Sequence, residues 1–164
     1  MPIPGVEQPA VLQIDKTLRL KQFDGECSFA LSWYQDPETV FLVDGVREAY
    51  TPEKLGRMYR YLNSKGELYW IEIRRGADFV PVGDVTFWQQ DMPIVLGEKG
   101  LRGQGIGRRV VAALAGRARA LGYPEIFVRE IYEWNTASQR CFESAGFIRH
   151  CKTEQGYGYR LALR

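Results

Sequence analysis

The segment Glu98 to Arg109 reads EKGLRGQGIGRR, with four glycines and four cations in twelve residues just ahead of an apolar repeat of helical period. A helix N-terminus leaves about four amide hydrogens unpaired and carries about half a positive charge, so it attracts anions wherever the preceding backbone can come close. Gly103, Gly105 and Gly107 allow that approach, and Arg102, Arg108 and Arg109 add charge suited to phosphate. The chemistry expected here is the binding of a phosphate or diphosphate. The glycines also suit a tight turn after a strand, so spacing has to discriminate. No Lys-Ser/Thr follows the last glycine, which excludes the ATPase P-loop, and G-x-G-x-G is not the dinucleotide G-x-G-x-x-G.

Other reactive residue types are sparse. Cys27, Cys141 and Cys151 form an odd set without a CxxC pair, and no stretch reads as a leader or a membrane span, so a reducing cytoplasm is the expected location. His150 is the single histidine; it cannot supply a multi-histidine metal site, no metal is expected, and the ring reads as an ordinary strand residue. Ala137, Cys141 and Ala145 make a small-residue stripe suited to packing on a sheet, and Cys141 has no adjacent base to make it a nucleophile. With 22 basic and 20 acidic residues among 164, the net charge of +2 gives no general footing for nucleic acid, and neither nucleic acid nor membrane is expected as a partner.

The elements that must position these residues follow from period and punctuation. Residues 1–13, rich in Pro and Gly at their start, read as a loose arm, and residues 14–164 as one domain. Leu18 to Phe23 reads as a strand, and Ser28 to Gln35 with Pro37 to Val43 as a pair of short helices broken at Asp36-Pro37. Thr51-Pro52-Glu53 opens a helix with Leu55, Met58, Tyr59 and Leu62 on one face. LYWIEIRR, VPVGDVTFWQQ and MPIVLGE read as three successive strands. Ile106, Val110, Val111, Leu114, Ala118 and Leu121 then mark a long helix, Ile126 to Ile131 a strand, Asn135 the cap of a last helix, and Phe147 to Thr153 and Tyr157 to Leu163 two closing strands. The class is α+β.

Arg102-Gly103-Gln104-Gly105-Ile106-Gly107, between a strand and a long helix, resembles the Arg/Gln-x-x-Gly-x-Gly/Ala loop of the GNAT acetyltransferase superfamily. Asn135-Thr136-Ala137-Ser138 and Gly146-Phe147 are similar to that family's second cofactor-bordering block. The resemblance spans roughly residues 67 to 155. It implies a mixed, mostly antiparallel central sheet of six to seven strands with about four flanking helices and a splayed fourth and fifth strand pair. It implies acetyl-CoA as co-substrate, with the diphosphate on residues Arg102 to Arg108. Amides near Ile94, Val95 and Leu96 are then expected to serve the pantetheine arm, with Asn135, Ser138 and Phe142 on a helix face turned toward the cofactor.

Acetyl transfer needs a neutral amine, yet an amine of pKa about 10.4 is neutral in only about one part in 2,500 at pH 7. A base is therefore expected. The resemblance places it on the strand before the loop, where Asp91 is the nearest match though out of register with the best-known lysine acetyltransferase branch; Glu130 and Glu72 are rivals. Many members carry a tyrosine, which protonates the leaving thiolate, where this chain has Phe142, so either Tyr132 substitutes or the acid is dispensable. Acceptor recognition is expected between about Cys27 and Tyr50, where Trp33, Tyr34, Asp36, Glu38, Asp44 and Glu48, with Trp134, can surround an ammonium or simply form an aromatic core under an acidic rim. A small amine, a protein N-terminus and a lysine all remain open as acceptors, as does the choice between monomer and homodimer. The alternatives are a coenzyme A-binding module without turnover and a transferase of longer acyl groups.

Overall fold

The computed structural model describes all residues, 1–164, and its strands are β1 (Val11–Gln13), β2 (Leu18–Gln22), β3 (Glu67–Arg75), β4 (Asp78–Phe87), β5 (Ile94–Leu96), β6 (Glu125–Tyr132), β7 (Ile148–Lys152) and β8 (Gly156–Ala162). The helices are α1 (Pro37–Asp44), α2 (Pro52–Lys65), α3 (Ile106–Ala120) and α4 (Thr136–Ser144), joined by 3-10 turns at Ser28–Ala30, Trp33–Gln35 and Lys99–Leu101. β1 to β5 form one sheet in chain order, and β6, β8 and β7 form a second in that order. β5 is thus an edge strand of the first sheet and β6 an edge strand of the second. The pairings of β1 with β2, β2 with β3, β4 with β5, β6 with β8 and β7 with β8 are antiparallel. The chain clusters into two compact units, residues 1–86 with 94–100 and residues 87–93 with 101–164. No helix is long and apolar enough to cross a membrane.

Local chemistry explains most element starts. The Thr51 hydroxyl accepts the Lys54 amide at 3.2 Å and Pro52 sits in the first turn of α2, whose Leu55, Tyr59 and Leu62 are buried. Asp36 caps α1 by accepting the Thr39 amide at 2.9 Å. The helix expected over Ser28 to Gln35 is instead two separate 3-10 turns, and neither Cys27 nor Ser32 supplies the side-chain cap that would have started a full helix. The strand expected at Met92 to Glu98 shortens to β5, because residues 88–91 form a tight turn closed by Trp88 and Asp91 backbone bonds.

Residues 1–13, expected to lie loosely, carry β1 and two fixed points. Ile3 is buried, and the Gln8 amide donates to the Leu68 carbonyl at 3.0 Å. Those partners lie far off in sequence, so local composition did not reveal them. β1 also brings the strands to eight, one beyond the six to seven expected.

In the first unit the core lies between β2 and β3 and under α2, with Leu18, Leu20, Leu68, Ile71 and Leu55 almost wholly buried. In the second unit α3 buries Ile106, Val110, Val111 and Leu114, and β6 contributes Ile126, Val128 and Ile131. β6 slips register between Val128 and Ile131, so one extra residue bulges out of its ladder with β8.

Candidate functional site

In the second unit the glycine loop has the backbone its residues allow. Gly103 (φ +78) and Gly105 (φ +82) both take the left-handed conformation, and Gly105 is the N-cap of α3 without a side chain to do the capping. The first intrahelical bond runs from the Arg109 amide to the Gly105 carbonyl at 3.1 Å, so the amides of Ile106, Gly107 and Arg108 precede it. The first turn of α3 contains no acid and does contain Arg108 and Arg109. Cations at a helix N-terminus oppose the helix dipole by about 0.3–1 kcal/mol each, a cost that a bound anion reverses. A side chain placed at Gly103 or Gly105 would meet nothing within 4 Å, which leaves the space before the helix clear. The arrangement fits a diphosphate.

Gly107 has a different job from its neighbours. A Cβ there would stand 3.1 Å from Cys141 Sγ, so this glycine is the contact by which α3 and α4 approach. The small-residue stripe of α4 therefore packs on a helix at Cys141, while Ala137 is exposed. Burial pushes the Cys141 thiol up to about 11, with Arg108 pulling weakly the other way, and His150 lies on another element, tilted against Phe127 with ring centroids 5.5 Å apart. Cys141 thus lacks the thiolate and the base that nucleophilic catalysis requires.

The start of α4 collects Tyr132, Asn135 and Ser138. Asn135 Oδ1 accepts the Ser138 amide at 3.1 Å, the Asn135 amide bonds to the Tyr132 carbonyl at 3.0 Å, and the Tyr132 ring stacks on Trp134 at 4.7 Å. Phe142 sits in a tight core contact, edge-on to Phe147 at 5.2 Å and almost wholly buried.

The expected carboxylates are already engaged. Asp91 Oδ1 accepts the amides of Met92 at 2.9 Å and Arg129 at 3.0 Å; Arg129 belongs to the β6 bulge, so Asp91 satisfies a donor near the break in the ladder. Burial raises the Asp91 pKa, with the Arg129 and Met92 amides opposing. Glu130 Oε2 accepts the Gln155 amide at 3.1 Å, and Glu72 pairs with Arg19 Nε at 2.8 Å.

In the first unit Ile94, Val95 and Leu96 are half-buried on edge strand β5, where alternate backbone groups face away from the neighbouring strand. The Trp33 ring lies on the end of that strand: a Cβ on Gly97 would come within 2.2 Å of it. Opposite Val95 on β4 stands Asp84, 1% exposed, its Oδ2 accepting the hydroxyls of Tyr34 and Tyr59 at 2.8 Å each. Burial lifts its carboxyl to about 6 against the pull of the two phenols. Burial beside that carboxylate raises both phenol pKa values, so the tyrosines remain protonated donors. Sequence reasoning passed over Asp84. The available signal was a lone acid in an otherwise apolar strand, VGDVTF.

The acidic rim expected around the acceptor is largely committed to neighbours. Lys99 Nζ lies 2.9 Å from both Asp36 and Glu38, and the Tyr50 hydroxyl donates to Asp44 at 2.8 Å. Trp33 and Tyr34 are buried, which makes them walls of the core.

An α+β fold of antiparallel sheets with a left-handed glycine turn at the head of its longest helix is the architecture of an acyltransferase family. The family model for the acetyltransferase (GNAT) domain matches residues 18–148, and the chain belongs to that family. Among solved structures it is similar to a domain from Methanocaldococcus jannaschii DSM 2661, with TM-score 0.78, 22% identity, and 90% of this chain and 99% of that one covered. A GNAT-family acetyltransferase from Bacillus anthracis superposes with TM-score 0.73 at 16% identity over 93% of this chain and 98% of the other. Spermidine N-acetyltransferase from Vibrio cholerae, in complex with CoA and spermine, does so with TM-score 0.70 at 12% identity over 91% and 97%. No curated protein matches the chain in sequence.

Proposed function

We propose that the protein transfers an acetyl group from acetyl-CoA to a primary amine by direct attack in a ternary complex. The observation that carries this reading is the pair of left-handed glycines opening α3, with Arg108 and Arg109 in a first turn that has no acid. Amides of Ile106 to Arg108 would hold the diphosphate, and edge groups of β5 the pantetheine arm. The bound thioester supplies the acetyl group. In balance, R–NH3⁺ and CH3CO–S–CoA give R–NH–COCH3, CoA–SH and one proton.

Direct attack is favoured because Cys141, which lies against Gly107 of the loop, is a half-buried thiol pushed up to about 11. Asp91 and Glu130 remain candidates for a water-borne proton relay, and Tyr132 for the thiolate acid. The two backbone amides on Asp91 argue for a structural post there. Steady-state thiol release with both substrates varied should give intersecting lines, and Cys141→Ala should keep most of its turnover. Tight acetyl-CoA binding without thiol release across a panel of primary amines would mean a binding module. Parallel lines with a trapped acetyl-cysteine would mean a covalent route.

A further inference from the structure

Resting on that reading, we propose that Asp84 is the docking point for the acceptor's amine, and that the acceptor is a primary monoamine carried on an apolar or aromatic group. Three observations within the first unit lead there. Both phenol hydroxyls converge on Oδ2 of Asp84, and Oδ1 accepts no hydrogen bond from the protein. A buried carboxylate held by one oxygen has capacity for one more donor, and an ammonium is the donor that also matches its charge.

The second observation is what the other acids are doing. Asp36 and Glu38 are taken by Lys99, Asp44 by Tyr50, Glu67 by Tyr69 and Glu72 by Arg19. A polyamine or an aminoglycoside needs several carboxylates, whereas Asp84 is a buried acid held only by neutral phenols, with no cation beside it and one oxygen to spare. One carboxylate suits one ammonium.

Third, aromatic rings run in contact from that carboxylate to the surface. The Tyr59 ring, whose hydroxyl is on Asp84, lies 5.1 Å from Trp70, and Trp70 lies 4.7 Å from Phe29, which is 41% exposed. Ring faces attract both an apolar carrier and the ammonium it bears. On docking, one ammonium proton passes to Oδ1 and frees the nitrogen lone pair; the N–C bond to the thioester carbon forms, the C–S bond breaks, the departing thiolate takes up the second proton lost from nitrogen, and the carboxyl returns the first to water. Burial supports the transfer, since a carboxyl at about 6 accepts a proton roughly 10²-fold more readily than one at 3.8.

The test is calorimetric titration of phenethylamine, and in parallel of spermidine, into wild type and Asp84→Asn, each saturated with coenzyme A at pH 7.5. Asparagine keeps an oxygen for both phenols and removes the charge. Phenethylamine should bind wild type and lose at least about 10-fold in affinity in Asp84→Asn, while coenzyme A affinity and the circular dichroism spectrum stay unchanged. Spermidine should bind wild type no more tightly than phenethylamine. Equal phenethylamine binding by the folded variant, tighter binding of spermidine, or no binding to wild type each overturns the proposal. Wild type that binds phenethylamine through Asp84 yet releases no thiol from acetyl-CoA removes the transferase reading and leaves the docking site standing.

Discussion

Gly107 on α3 and Cys141 on α4 meet so closely that a single methyl at position 107 would stand 3.1 Å from the Cys141 sulfur. That contact ties the helix opened by the glycine turn to the helix carrying Asn135 and Ser138. In Gly107→Ala, overpacking costs about 1–3 kcal/mol, offset by up to about 1 kcal/mol of helix propensity. Removing the sulfur should relieve the strain. A double-mutant cycle with Cys141→Ala, read by urea unfolding, should therefore show a coupling of about 1 kcal/mol. Additive effects would mean that the helices part easily at this point.

Gly105 answers to a different constraint. Nothing crowds it, so its φ of +82 is the reason for glycine there. Gly105→Val should cost about 1–2 kcal/mol of stability through backbone strain and lower acetyl-CoA affinity by at least about 10-fold as the amides turn away. Arg109→Ala, which removes a rim cation, should cost about 1 kcal/mol of binding or less. Calorimetric titration with acetyl-CoA ranks the two variants, and the reverse order would place the anion on side chains instead of backbone.

Asp84 also makes stability depend on pH in a direction unusual for a carboxylate. Its folded pKa of about 6 lies above the reference 3.8, so between those values the folded chain holds a proton that the unfolded chain has released. The stability it contributes is complete below about pH 4, is lost as pH rises through about 6, and is flat above about pH 7. The phenols facing it, Tyr34 and Tyr59, stay neutral throughout because burial raises both, and the Tyr50 ring packs behind Tyr34. Relative to Asp84→Asn, wild type should lose about 2 kcal/mol between pH 4.5 and 7.5. Urea unfolding of both proteins at pH 4.5, 6 and 7.5 measures the difference, and a constant gap would show that the carboxyl titrates normally.

At Asp91 the position of the amides decides what substitution should do. Asparagine offers the same Oδ1 to Met92 and Arg129, so Asp91→Asn should keep stability and hold turnover within about threefold. Asp91→Ala strands both donors and should cost about 2 kcal/mol in thermal unfolding. A 10²-fold or greater fall in turnover for Asp91→Asn, partly rescued at high pH, would restore this residue to the proton path.

The glycine turn ahead of α3 was legible in the sequence because its requirement is local. Left-handed turns and a bare helix start can be met by few residue types, and they must be contiguous, so Gly103 and Gly105 announce themselves by spacing. The caps at Thr51, Asn135 and Asp36 and the buried stripe of α3 were legible for the same reason, since each is satisfied within one turn or one helical face. The carboxylates were not. Asp91, Glu130, Glu72 and Asp84 are the same chemical type on the same kind of element, and what separates them is which donor arrives from a distant part of the chain. Arg129 reaches Asp91 across 38 residues, Arg19 reaches Glu72 across 53, and Tyr34 and Tyr59 reach Asp84 across 50 and 25. A carboxylate's pKa and its free lone pairs are set by burial and by such donors, which exist only once the sheet and helices have packed. Composition and spacing therefore determined the fold family and the glycine turn that opens α3, while tertiary packing alone decided which donors each acid meets and how deeply each is buried.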